Sequence, residues 1–272
     1  MAEEELNYDN ELESGKYLFK YCKFDVNALQ IIINKELYFS SPAKLNDPLD
    51  SNFELEIENP ENFSDKTRDY IKHSGFPINE KLKSMLRDYS LLLGHVPKQD
   101  ELLTEYFHDI QNNYLGICSF STKAIDKNLM WSHYANEAKG LCLVFDREQL
   151  TQSLLTNKFK NYRMYRGKVT YDGVKPLQVE INKEGELYST FDHLFSKTKH
   201  WAGEEEYRII LEKFNTDSFY PNIFIPFLNF DDNCLKFIIV GQRIDKGHYE
   251  MIHQLKFKGV FDAEILNHTF DK

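Results

Sequence analysis

The segment KHWAGEEEYRII, Lys199 to Ile210, crowds three glutamates, a tryptophan, a tyrosine and an arginine ahead of an apolar run. Read as a strand, it puts Glu204, Glu206, Arg208 and Ile210 on one face and Glu205, Tyr207, Ile209 and Leu211 on the other. Two carboxylates and a guanidinium then stand in a row. Read as a helix, Glu204 and Arg208 form an i,i+4 ion pair and the cluster is ordinary solvated surface. The adjacent β-branched residues Ile209 and Ile210 favour the strand.

Two other segments carry polar handles. In CSFSTKAIDKNLMWSHYANEAKGLCLVFD, Cys118 to Asp146, Ser119 and Ser121 alternate with Phe120, so both hydroxyls face one way and can position a carboxylate or a sugar hydroxyl. Trp131, His133 and Tyr134 follow, with ring faces and polar tips suited to a flat ligand, or equally to core packing. In YLFKYCKFD, Lys20 and Tyr21 stand near a strand end, where a lysine holds phosphate as a point charge or simply snorkels to solvent. Asn46 and Asp47 form a turn in the LNDP element that follows. His193 and His200 are seven apart and His108 and His133 lack close partners, so no metal site is expected. No nucleophile elbow supports a Ser-His-Asp hydrolase.

The elements that must position these residues are legible from periodicity. Residues 1–15 read as a disordered acidic tail. A strand in KYLFKYCKFD is followed by a helix capped by Asp25 and a brief strand over Leu37 to Ser40. Charged, helix-period sequence over about 64–113 reads as a helical insert. Then come a strand over Tyr114 to Ser121, a short helix NLMWSHYANE, a buried strand GLCLVFD and a helix REQLTQSLLTN. GKVTYD reads as a strand and roughly Leu187 to His200 as a helix. EYRIILEKF, NIFIPFL, LKFIIVGQ and GVFDAEIL read as strands, with the helix HYEMIHQLKF before the last. Strands scattered among helices without regular alternation predict one α+β domain over residues 16–272.

Composition sets the outer limits. A chain of 272 residues, 42% hydrophobic and 14% aromatic, has ample material for a core. Its 12 glycines form no nucleotide-binding glycine motif. With 43 acidic against 33 basic residues, the net charge of −10 argues against neutralising a nucleic-acid backbone as its main task. The basic and aromatic segment Lys158 to Lys168 keeps nucleic acid as an alternative partner, against the plainer reading of a loop entering a strand. Four cysteines without C-x-x-C spacing read as reduced thiols. With no apolar leader and no window long enough to span a bilayer, a cytoplasmic protein without a membrane partner is expected. No heptad seam marks an oligomer interface, so oligomeric state is not legible.

The ordered set LFKYCKFD, LYFSSPAKLNDPLD, SFST, MWSHYANEAKGLCLVFD, HWAGEEEYRIIL and LKFIIVGQ resembles a bacterial family, the domain of unknown function 2971, over roughly residues 17–270. The layout is also similar to the ADP-ribosyltransferase fold, whose relatives open with a strand, a helix and a turn and end with a catalytic glutamate on a late strand. That second resemblance implies a mixed or antiparallel split sheet and an enzyme of ADP-ribosyltransferase or NAD glycohydrolase type. NAD would be the substrate, and the ADP-ribosyl group would pass to a macromolecule or to water, plausible work for a toxin or an antiviral defence effector. It implies Glu206 as the carboxylate that stabilises the sugar cation and Glu204 as the group that steers the acceptor. Lys20, Tyr21, Ser119, Ser121, Trp131, His133, Tyr134 and Arg208 would then surround the dinucleotide. Lys20 stands where better known transferases carry Arg or His, and Arg208 is either a helper of Glu206 or its structural partner. The alternatives are a nucleic-acid-directed enzyme or binder and a non-catalytic sensor or interaction module. On the transferase reading, Glu206→Gln abolishes nicotinamide release while leaving the melting temperature nearly unchanged.

Overall fold

The computed structural model describes residues 11–47, 50, 52–73, 99–123, 128–156, 162–213 and 227–267. Among them, twelve strands form three sheets. The largest is a mixed sheet of seven strands in the order β12-β11-β5-β1-β4-β9-β6. Its members are β1 (Tyr17–Cys22), β4 (Leu115–Ser121), β5 (Leu141–Asp146), β6 (Tyr162–Lys168), β9 (Glu206–Lys213), β11 (Leu235–Val240) and β12 (Glu264–Asn267). All pairings in it are antiparallel except β11 with β12. A three-stranded sheet joins β3 (Leu55–Glu58), β7 (Leu177–Ile181) and β8 (Leu187–Ser189), and a two-stranded one joins β2 (Glu36–Tyr38) to β10 (Phe227–Asn229).

The large sheet is covered on both faces, which is why β5 is apolar on both phases and fully buried. One face packs Leu18, Cys118, Phe120, Leu143, Phe145, Tyr207, Ile209 and Ile238 with Leu150, Leu154 and Ile252 of the helices Arg147–Thr156 and Lys246–Phe257. The other face divides. Tyr17, Phe19, Tyr21, Cys142 and Val144 meet Met130 and Trp131 of the helix Asn128–His133, while Leu115, Ile117 and Ile210 meet Phe191 and Leu194. A further cluster packs the helix Gln99–Tyr114 against β7.

Local chemistry accounts for several boundaries. Asp25 Oδ1 accepts from the Asn27 and Ala28 amides, the cap that its position predicts. After the helix Asn128–His133 the chain makes a left-handed turn, with φ of 51° at Asn136, 55° at Glu137 and 61° at Ala138. Non-glycine residues in that region cost roughly 1–2 kcal/mol each. The turn is held by hydrogen bonds from the Ala138 amide to the Trp131 carbonyl and from the Gly140 amide to the Ala135 carbonyl. Gly140 is required there, because a Cβ would stand 2.2 Å from the Cys22 carbonyl oxygen.

Several expectations are corrected. Residues 1–10 lie outside the described residues, but Leu12 is buried against β1 and Tyr17 donates to Glu11, so the ordered chain begins before Lys16. The helical insert holds the helices Asp65–His73 and Gln99–Tyr114, with 74–98 outside the described residues. The strand near Gly167 lies earlier than expected, as β6. The helix expected over Leu187 to His200 is instead β8 followed by the short 3₁₀ turns Asp192–Phe195 and Lys199–Glu204. The α+β class stands, while β3 and β7, isolated in polar sequence, were not anticipated.

Candidate functional site

β1 and β4 barely touch. They meet at the register pair Phe19 and Ser121, whereas β1 and β5 run in register from Tyr17 opposite Asp146 to Cys22 opposite Leu141. Where β1 and β4 part, a cavity of about 140 Å³ opens. Lys20, Tyr21, Ser119, Ser121, Tyr134, Glu204 and Glu206, each singled out in the sequence, line it together with Asn46, Asp50 and Lys197.

β9 is buried along nearly its whole length, so its polar residues need partners. Glu206 and Arg208 point to the cavity side of the sheet, opposite Ser121 and Ser119 of β4. Arg208 Nε donates to Glu206 Oε1 at 2.8 Å, and Nη2 reaches Glu206 Oε2 at 3.2 Å. Its remaining protons go to Asp50 Oδ1 and Oδ2, at 2.9 and 2.5 Å, and to the Leu194 carbonyl at 2.6 Å. Lys197 Nζ stands 2.8 Å from Glu206, 2.9 Å from Glu204 and 3.3 Å from Asp50. Burial alone raises the Glu206 pKa, but Arg208 and Lys197 outweigh it and hold the carboxyl at about 2. Burial likewise pulls Lys197 down, and Glu206, Asp50 and Glu204 more than reverse it, so the ammonium stays charged. Glu206 is therefore ionised and fixed, a geometry for stabilising a cation and not for donating a proton.

Glu204 reaches the cavity by another route than predicted. It ends the 3₁₀ turn Lys199–Glu204 and is not on the strand, and Glu205 between the glutamates is left-handed at φ 44°. That kink turns the Glu204 carboxylate toward Lys197, where it also accepts a hydrogen bond from Tyr134. Burial and then the Glu204 contact raise the Tyr134 pKa, so its phenol stays protonated. Asn46 Nδ2 donates to the Tyr134 oxygen at 3.2 Å. The Ser121 hydroxyl donates to the Glu204 carbonyl at 2.8 Å, so it fixes the backbone of the glutamate and not its carboxylate. Glu205 turns outward to Lys123.

Four expected ligand contacts are corrected. Lys20 touches the cavity, but its ammonium lies on the opposite face of the sheet, over the Phe120 ring, donating to the Ser119 carbonyl at 3.2 Å. The parting of β1 and β4 leaves that carbonyl to a side chain. Trp131 is buried edge-on against Tyr21, a core contact. His133 is exposed and does not line the cavity. Arg208 is fully buried behind the cavity wall, as the structural partner of Glu206. Tyr21 does line the cavity, with its phenol held protonated by burial.

Asp50 and Lys197 escaped sequence reasoning. Asp50 follows the LNDP turn as one more acid, and Lys197 stands in a polar run, so neither has a local signal that it is buried. Among its described residues the basic segment contributes no such cluster. Lys158 to Asn161 lie outside the described residues, and Arg163, Arg166 and Lys168 are exposed on the edge strand β6, where charges prevent edge-to-edge pairing. Among the described residues no group of three or more His, Cys, Asp or Glu side chains is arranged to hold a metal, and no helix is long and apolar enough to cross a membrane.

No curated protein and no solved structure matches the chain. Residues 130–209 match the model of the family described as Protein of unknown function (DUF2971). That matched segment, less than a third of the chain, carries Tyr134, Lys197, Glu204, Glu206 and Arg208.

Proposed function

We propose that the cleft binds NAD and breaks its nicotinamide–ribose bond, passing the ADP-ribosyl group to water or to a macromolecular nucleophile, in the manner of an ADP-ribosyltransferase-like fold. The observation that supports this reading is the convergence of Tyr21, Ser119, Ser121, Tyr134, Glu204 and Glu206 on one cavity at the parting of two strands. As the C–N bond breaks, its electron pair goes to the ring nitrogen, nicotinamide leaves neutral, and positive charge builds on the ribose. Glu206, ionised and held by Arg208 and Lys197, stabilises that charge without having to reorganise. The nucleophile closes the bond to ribose and releases its proton to solvent, and in this reading Glu204, tied to Tyr134, steers its approach.

The test is release of free nicotinamide when the purified protein is incubated with NAD, followed by chromatography. Tyr134→Phe, which removes only the hydroxyl on Glu204, lowers kcat/KM by about tenfold or more. Absence of nicotinamide release from NAD, with or without a cell extract as source of acceptors, defeats the proposal. A toxin or antiviral role is the setting such chemistry serves, and a fall in cellular NAD on induced expression is its signature.

A further inference from the structure

The cavity offers acceptors and few donors. Lys197 has three ammonium protons and three carboxylate partners, Asp50, Glu204 and Glu206. Arg208 has five N–H groups, and all five are taken by Glu206, Asp50 and the Leu194 carbonyl. Lys20, the remaining cation on the lining, has turned to the Ser119 carbonyl and the Phe120 ring. Among the described residues, an entering phosphate would meet no uncommitted cationic donor at this cavity. The acidic side is the opposite. Three carboxylates face two cations in the cluster, an excess of one negative charge, and each carboxylate can accept about four hydrogen bonds. Glu204 receives two, from Lys197 and Tyr134.

Shape narrows the ligand further. Phe19, Tyr21, Leu45 and Met130 add apolar and aromatic lining to the same cavity. At about 140 Å³ the cavity is below the roughly 300–1,000 Å³ of sites that enclose a drug-sized ligand. It fits one ring with its first substituents.

We propose that this cavity takes a flat organic cation of single-ring size, of the pyridinium class, and that the phosphates of any larger substrate stay outside it. Applied to NAD, this rests on the function proposed above: the protein recognises the cationic nicotinamide–ribosyl end, and the pyrophosphate adds little. A nicotinamide nucleoside without phosphate is then a substrate as good as the dinucleotide.

Two measurements on the wild-type protein test this. Calorimetric titration compares 1-methylnicotinamide, a cation, with nicotinamide, its neutral counterpart. The cation binds tighter by about tenfold or more, the worth of one charge-assisted contact, and inorganic pyrophosphate does not displace it. Equal affinity for the two, no binding of the cation, or its displacement by pyrophosphate overturns the proposal. Nicotinamide release is then compared between nicotinamide riboside and NAD, with similar kcat/KM expected, and a preference for NAD of more than about tenfold overturns the claim that phosphate is not read. If neither compound is cleaved while the cation still binds selectively, the enzymatic reading fails and the ligand class stands.

Discussion

Glu206→Gln puts the buried network to its sharpest test. Glutamine keeps the shape of the side chain but brings an amide NH₂ to a place where Arg208 Nε, Arg208 Nη2 and Lys197 Nζ already point donors, at 2.8, 3.2 and 2.8 Å. Holding the carboxyl at about 2 against its ordinary 4.5 corresponds to roughly 3 kcal/mol of folded-state stability. Independently, removing one partner of a buried ion pair typically costs about 3–5 kcal/mol. For a chain near this size, about 2–4 °C per kcal/mol converts the lower figure to a fall in Tm of roughly 6–12 °C at pH 7. The sign with pH follows from a depressed carboxyl. The wild type's advantage is complete above its unfolded-state value of 4.5 and fades as pH falls from there toward about 2, because glutamine does not titrate. Thermal melts of both proteins at pH 7 and pH 3 check this. A Tm within about 2 °C of wild type at pH 7, or a deficit unchanged at pH 3, refutes the reading of Glu206 as an ion-paired anchor. The expectation from sequence that this substitution spares the melting temperature is thereby reversed, so activity of the variant is to be assayed well below its own Tm.

Three further outcomes are expected. Lys20→Met leaves KM for NAD nearly unchanged, because the ammonium serves the Ser119 carbonyl on the far face of the sheet; a large rise in KM would return Lys20 to the ligand. His193 is buried against Gln111 and held neutral, its pKa lowered to about 4 by burial and then by Arg208 and His108. Its contribution is therefore present above pH 6.5 and lost as pH falls toward 4, and His193→Gln flattens the dependence of the urea midpoint across that window. Gly140→Ala drives a Cβ against the Cys22 and Ala135 carbonyls, 2.2 and 3.0 Å away, and yields little soluble protein, measured as soluble yield beside Gly259→Ala, where no atom lies within 4 Å. Gly259 itself has φ 69°, so its alanine variant reports the cost of backbone strain without a clash.

Much of the frame was legible locally. The alternation in EYRII put Glu206 and Arg208 on one face, the SFS alternation put Ser119 and Ser121 opposite them, and continuous apolar runs marked β5 and β11 as doubly covered. Where expectation failed, a local rule met a tertiary one. Extending the β9 alternation back to Glu204 ignored the left-handed Glu205, which ends the strand yet still delivers the carboxylate to the cavity. Placing Lys20 at the ligand ignored that β1 and β4 part beside it, leaving a carbonyl for its ammonium to satisfy.

The sequence by itself determined the strand periods, the acidic balance and part of the set of side chains that line the cavity, because each follows from residue types at short spacing. Only the tertiary structure decided which charges are spent on one another. Asp50 reaches Arg208 across 158 residues, and Lys197 gathers Asp50, Glu204 and Glu206. The physical reason is burial. A guanidinium, an ammonium and three carboxylates taken out of water must find partners within hydrogen-bonding distance, and that requirement is set by the packed sheet and not by sequence spacing.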